Sequence, residues 1–131
     1  MSRPGTTSAL DSLNGKKVLL CIDDEANALA IRKLLLESAG YSVLTARSGA
    51  DGLKMLQSAH VDAVILDYLM PEMDGGAVAA EIRCIKPALP ILILSACLEI
   101  PNEILATING FVHKGVAPPE LFDSIDRLLS T

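Results

Sequence analysis

The feature that most constrains the fold of this chain is a fivefold alternation. Short apolar runs, "KVLLCI" (17–22), "YSVLTA" (41–46), "VDAVILD" (61–67), "PILILS" (90–95) and "GFVHK" (110–114), are separated by stretches with helical spacing. Near-continuous apolar runs suit strands buried on both faces, and their alternation with helices implies a parallel sheet covered on both sides. "YSVLTA" alternates more regularly than the others and is expected at an edge of the sheet. Right-handed crossovers then leave a small set of doubly wound α/β folds. In these, ligands bind at the carboxyl ends of the strands, near the point where the strand order reverses.

The intervening segments carry helix signals. In "EANALAIRKLLLESAG", Ala28, Ile31, Leu35 and Ala39 form a stripe at helical spacing, and Gly40 supplies a stop. "SGADGLKMLQSA" opens with Ser48 and Asp51 at capping distance. "GGAVAAEIRCIK" ends before Pro87, and "PPELFDSIDRLLS" starts on prolines suited to a first helical turn. Met55 and Met70 read as packing residues, Met73 as a loop-shaping one, and Asp74-Gly75 as the turn that launches the third helix. Residues 1–15, rich in Ser, Thr and Gly, are expected to form a flexible tail ahead of one domain over 16–131.

Composition narrows the function classes. With half the residues hydrophobic but only 3% aromatic, the core must be aliphatic. Sixteen acids against eleven bases leave a net charge of −5, which argues against a binder of nucleic-acid backbones. Cys21, Cys84 and Cys97 form no C-x-x-C, and with His60 and His113 far apart no zinc spacing appears. The cysteines are expected to pack as small hydrophobes in a reducing compartment. No run approaches the ~18 apolar residues of a membrane span, and the start has no signal-peptide core, so a cytoplasmic location without membrane attachment is expected.

Against this frame, "CIDDEAN" (21–27) is anomalous. A strand buried on both faces ends in Asp23, Asp24 and Glu25, where adjacent carboxylates repel one another. A nucleotide-binding fold would carry glycines in this first turn, whereas a glycine-free turn loaded with acid repels phosphate unless a cation intervenes. A helix cap explains one acid, not three. Asp67 ends a second strand and could meet the others in one crevice, which favours a hard cation such as Mg²⁺. Ser95 and Lys114 end two further strands. Together these groups suit a phosphoryl group held on a carboxylate, with the metal and the ammonium neutralising its oxygens and the hydroxyl donating to one of them.

At these residues the chain resembles the receiver domain of bacterial two-component response regulators, over about residues 16–130. "DYLMPEMDG" (67–75) fits the family pattern D-x-x-M-P-x-M-D-G at every fixed position. The resemblance implies a flavodoxin-like, five-stranded parallel sheet of order 2-1-3-4-5, with helices on both faces. It also implies Asp67 as phosphoacceptor. Mg²⁺ would be held by Asp23, Asp24, Asp67 and the backbone carbonyl of Leu69, with Asp24 a direct ligand and Asp23 acting partly through water. Ser95, Lys114 and Phe111 would be the phosphoryl-binding and switch residues. The implied phosphoryl source is a sensor histidine kinase or phosphotransfer protein, and the implied reader is a downstream protein or separate output domain. No basic helix follows "DRLLST", so direct nucleic-acid binding is not expected.

Two departures stand out. Gly115 follows Lys114 where the family usually has proline. The stretch from Ser95 to Phe111 is about one helical turn short, with Pro101 inside it, which trims the helix-four, strand-five, helix-five face that many receivers use for a phosphorylation-dependent homodimer.

The expected role is a phosphoacceptor that promotes its own phosphorylation and dephosphorylation, not a metabolic enzyme. An aspartyl-phosphate hydrolase of the haloacid-dehalogenase kind needs a second acid two residues after its nucleophile, and here that position is Leu69. A degenerate receiver that docks independently of phosphorylation is opposed by the intact Asp23, Asp24, Asp67, Ser95 and Lys114 set, while Gly115 and the short fourth-helix region speak for it. Leu69 and Cys97, two residues beyond Asp67 and Ser95, are placed to govern the water that hydrolyses an acyl phosphate. Neither offers it a strong hydrogen bond, so a slow decay is expected.

Overall fold

The computed structural model describes residues 15–71, 73–96 and 99–130. Among these described residues, five strands alternate with five helices: β1 (Val18–Ile22), α1 (Ala26–Ser38), β2 (Ser42–Ala46), α2 (Gly49–Ser58), β3 (Ala63–Asp67), α3 (Gly75–Ile85), β4 (Ile91–Ser95), α4 (Asn102–Leu105), β5 (Gly110–His113) and α5 (Pro118–Leu129). All strands are parallel, in the order β2-β1-β3-β4-β5. The fold is the doubly wound, flavodoxin-like sheet that the alternation and the resemblance predict, with "YSVLTA" contributing the edge strand β2.

Every residue of β1, β3 and β4 is buried, because helices cover both faces of these central strands. Successive side chains go to opposite faces, which splits the core in two. Leu19, Cys21, Ile65, Leu92 and Leu94 pack with Leu29 and Leu36 of α1 and with Leu121, Ile125 and Leu128 of α5. Leu20, Ile22, Val64, Leu66, Ile91 and Ile93 pack with Leu56 of α2 and with Val78, Ala79 and Ile82 of α3. The strand order reverses between β1 and β3, so the crevice at their carboxyl ends is where this topology places a ligand.

Local signals mostly behave as read. Ser48 Oγ accepts the Asp51 amide at 3.0 Å and caps α2, and α5 begins on Pro118 and Pro119. Gly40 ends α1 at φ +99°, a conformation in which a Cβ is unfavourable. Met55, Met70 and Met73 pack against the α2–α3 core. Helix α4 spans only four residues, as the shortened stretch implies.

Two expectations need correction. The buried row of α1 is not Ala28–Ile31–Leu35–Ala39. Leu29 and Leu36 are buried, whereas Ile31 is 59% exposed. The inward row runs through 29, 32 and 36, and a charged residue, Arg32, occupies its middle. That charge displaced the apparent stripe by one position. The cysteines also divide: Cys21 is buried in β1, where desolvation pushes its thiol up to about 12, whereas Cys84 is exposed on α3. Cys97 and residues 1–14 of the expected tail lie outside the described residues.

Candidate functional site

The crevice is assembled by register. Ile22 of β1 pairs with Leu66 of β3, so the next residues, Asp23 and Asp67, leave the sheet side by side. Asp67 pairs with Leu94, which sets Ser95 at the adjoining end of β4, and Ser95 pairs with His113, one residue before Lys114. Four strand ends thus deliver their polar residues to one place. Asp23 is fully buried, Asp67 is 3% exposed and Ser95 1% exposed, while Asp24 is half-buried.

Ligand oxygens of Asp23, Asp24 and Asp67 all lie within 4.8 Å of one another. This all-oxygen carboxylate set fits a hard divalent cation and no soft one. Lys114, in the turn just beyond β5, brings its Nζ to 2.7 Å from Asp67 Oδ1 and 3.7 Å from Asp23 Oδ2. Its amide donates to the Ser95 carbonyl at 2.9 Å, which ties the lysine's backbone to the end of β4. Burial raises the Asp67 carboxyl above the ordinary carboxylate range. The hydrogen bond from Lys114 opposes that rise, and the neighbouring Asp23 charge adds to it.

The loop after β3 is set by Gly75. A Cβ there would lie 2.7 Å from the Asp67 carbonyl oxygen and 2.8 Å from Tyr68 Cα, both backbone atoms that cannot swing aside. The Gly75 amide donates to the Tyr68 carbonyl at 2.6 Å, and Asp74 Oδ1 accepts the Ala77 amide at 2.9 Å to start α3. The Asp-Gly pair therefore folds the loop back onto the strand that carries Asp67. Within the loop, Leu69 is 57% exposed. Phe111, half-buried in β5, packs against the α2–α3 core.

Gly115 acquires a reason. Its amide donates to His113 Nδ1 at 3.0 Å, a bond that proline has no hydrogen to make. With Nδ1 accepting, the ring proton lies on Nε2, which donates to the Ala96 carbonyl at 3.2 Å. His113 thus laces the β5–α5 turn carrying Lys114 to the segment after β4. Neither histidine belongs to the acid cluster, since His60 pairs with Asp62 at 2.9 Å.

Two arginines escaped the sequence reading. Arg32 Nη1 lies 3.1 Å from Asp23 Oδ2, and its side chain is only 11% exposed. Arg47 Nη2 donates to the Asp24 carbonyl at 3.3 Å. The available signal for Arg32 was the polar interruption of an otherwise apolar helical row, Leu29–Arg32–Leu36. Nothing comparable marks Arg47.

Comparison with known proteins points to one family. The family model described as "Response regulator receiver domain" matches residues 19–126. The transcriptional regulatory protein GlrR of Escherichia coli K12 is 44% identical over 114 residues, covering 85% of this chain and 26% of the relative. The transcriptional regulatory protein ZraR of Salmonella typhimurium is 34% identical, covering 89% of this chain and 26% of the relative. The chain therefore spans about a quarter of the length of these curated relatives. Among solved structures, the Thermotoga maritima response regulator TrrA, crystallised with Mg²⁺-BeF, superposes with a TM-score of 0.81 at 34% identity, covering 86% of this chain and 99% of that one. The Vibrio cholerae chemotaxis protein CheY4 superposes with a TM-score of 0.79 at 28% identity, over 87% of this chain and 99% of that one. The chain belongs to the response regulator receiver domain family.

Proposed function

We propose that the chain accepts a phosphoryl group on Asp67 from the phosphohistidine of a sensor kinase or phosphotransfer protein, and that the acyl phosphate so formed is its signal. The observation that carries this reading is the convergence of three carboxylates, with oxygens within 4.8 Å, on a lysine ammonium 2.7 Å from Asp67. A carboxylate oxygen of Asp67 attacks phosphorus. The bond from phosphorus to the imidazole nitrogen breaks, and its electron pair returns to that nitrogen. Lys114 stays beside Asp67 and neutralises one phosphoryl oxygen, while the Ser95 hydroxyl donates to another. Asp24 and Asp67, with the Leu69 carbonyl, would hold Mg²⁺, and Asp23 would act partly through water. Bound there, the metal would offset the charge of the phosphoryl oxygens. Phe111, on the strand before Lys114, would report the change to the β5–α5 surface.

Leu69 stands two residues beyond Asp67 and cannot move a proton, which supports a slow phosphoacceptor over a turnover enzyme. Downstream proteins or a separate output domain would read the state, without nucleic-acid contact by this domain and without a membrane. No helix among the described residues is long and apolar enough to cross one. A cytoplasmic location fits this role. A homodimer through the α4–β5–α5 face would have to form with a four-residue α4.

The test is intact-mass spectrometry after exposure to a small phosphodonor. Wild type with Mg²⁺ should gain one phosphate, and neither Asp67→Asn nor wild type in chelator should gain any. Equal labelling of wild type and Asp67→Asn refutes the assignment, and no labelling of either favours a phosphorylation-independent docking module.

A further inference from the structure

Among the described residues, two cations pair with carboxylates of the acid cluster, and they are held differently. Lys114 sits in a turn with its side chain one-third exposed. Arg32 sits within α1, flanked in the inward row by Leu29 and Leu36, which the core fixes in place. We propose that Arg32 is a positioning residue. It holds Asp23 as a permanent counter-charge and thereby weakens Mg²⁺ binding by the cluster. The inference rests on reading the three carboxylates as the Mg²⁺ site.

Asp23 is fully buried, and both of its oxygens are engaged. Oδ1 accepts the Glu25 amide at 3.0 Å, whereas Oδ2 faces Arg32 at 3.1 Å and Lys114 at 3.7 Å. A carboxylate pinned by a fixed guanidinium and a backbone amide has little left for direct coordination, which then falls to Asp24 and to Asp67, the latter sharing its Oδ1 with the partly exposed Lys114. A guanidinium keeps its charge, and this one, with its side chain only 11% exposed between two buried leucines, stays near the cluster as a cation arrives. The approaching dication therefore meets a fixed repulsion a few ångströms away. The same fixed charge keeps the buried Asp23 paired when no metal is bound. It also frees Lys114 to follow the oxygens of a phosphoryl group on Asp67, because Asp23 does not depend on the lysine alone.

Calorimetric Mg²⁺ titration and thermal midpoints in chelator and in Mg²⁺ test this on wild type, Arg32→Met, Arg32→Gln, Arg32→Lys and Asp24→Asn. Arg32→Met should bind Mg²⁺ about tenfold more tightly, the scale set by removing one cation from a partly screened site. It should also melt below wild type in chelator and recover in Mg²⁺. Arg32→Gln keeps a hydrogen-bond donor for Asp23 without the charge, so it should also bind more tightly. Arg32→Lys should stay close to wild type. Should Arg32→Met fail to fold in chelator, Arg32→Gln carries the comparison. Neutral variants that bind Mg²⁺ no better than wild type, when wild type responds and Asp24→Asn does not, overturn the role of Arg32 alone. Absence of any Mg²⁺ response in wild type overturns the metal site and this inference with it.

Discussion

Asp67 is placed where its own charge is costly. Burial and the nearby Asp23 carboxylate raise its affinity for a proton, and the Lys114 ammonium only partly offsets them. For a carboxyl raised in the folded state, the contribution to stability is fully present below the unfolded value and is lost as pH rises through the folded one. Metal-free protein should therefore lose stability as pH climbs out of the acid range, and Asp67→Asn should not show that loss. Near neutral pH in chelator, Asp67→Asn should be more stable than wild type by about 1 kcal/mol, from relief of like-charge repulsion. Denaturant melts across pH measure this, and an Asn variant less stable than wild type at neutral pH contradicts it. A second residue-scale prediction concerns the life of the acyl phosphate. Leu69 is exposed beside Asp67 and cannot orient water by hydrogen bonding, so Leu69→Asn should speed decay by about 3–10-fold, while phosphorylation still occurs. An unchanged half-life would show that the backbone sets the rate. Asp23, Asp24, Asp67, Ser95 and Lys114 were legible in the sequence because each follows an apolar strand, where a polar residue stands out. Arg32 was harder to read, because a charged residue inside a helix is ordinarily solvent-facing, and its one mark was the interruption of the apolar row Leu29–Arg32–Leu36.

Among the elements, the turn after β5 shows how a departure from a family pattern can be compensated locally. Glycine in place of proline loosens a backbone, but here it supplies the N–H that His113 accepts, and His113 in turn donates to Ala96. His113→Leu removes both bonds. The Gly115 amide should then exchange with solvent about 5–10-fold faster, matching loss of a partly exposed hydrogen bond worth roughly 1 kcal/mol. Unaltered exchange at Gly115 would mean that Lys114 and its neighbours are held without the histidine. Arg83 plays a comparable part at the opposite end of the sheet. Its guanidinium donates to the carbonyls of Thr107, Pro87 and Leu89 and to Asn109 Oδ1, which itself accepts the Ile91 amide. That staple joins the end of α3, the start of β4 and the entry to β5 where α4 is too short to cover them. Strand positions, the Ser48 cap, the Gly40 stop and the shortened α4 could all be read from spacing and breakers. The buried face of α1 could not, since Ile31 and Leu35 mimic a core stripe while the true row is interrupted by Arg32.

At the scale of the whole molecule, an aliphatic two-sided core holds the sheet, and the acid cluster sits at the carboxyl ends of its strands. A metal held by the folded state and not by the unfolded chain stabilises the fold by mass action. Adding Mg²⁺ should raise the thermal midpoint of wild type in a concentration-dependent way and that of Asp24→Asn much less. Superimposed wild-type melting curves in chelator and in saturating Mg²⁺ would remove the cation from the account.

If Asp67 is the phosphoacceptor, the phosphoryl group resides there alone and reaches it only with Mg²⁺. Borohydride reduces an acyl phosphate to a primary alcohol at the carboxyl that carried it, so reduction with borodeuteride after phosphodonor treatment writes the site into the peptide. Peptide mass spectrometry should find the deuterated alcohol at position 67 alone, and nowhere when Mg²⁺ is chelated. Deuterium at Asp23 or Asp24, or labelling at Asp67 that ignores Mg²⁺, would contradict the account.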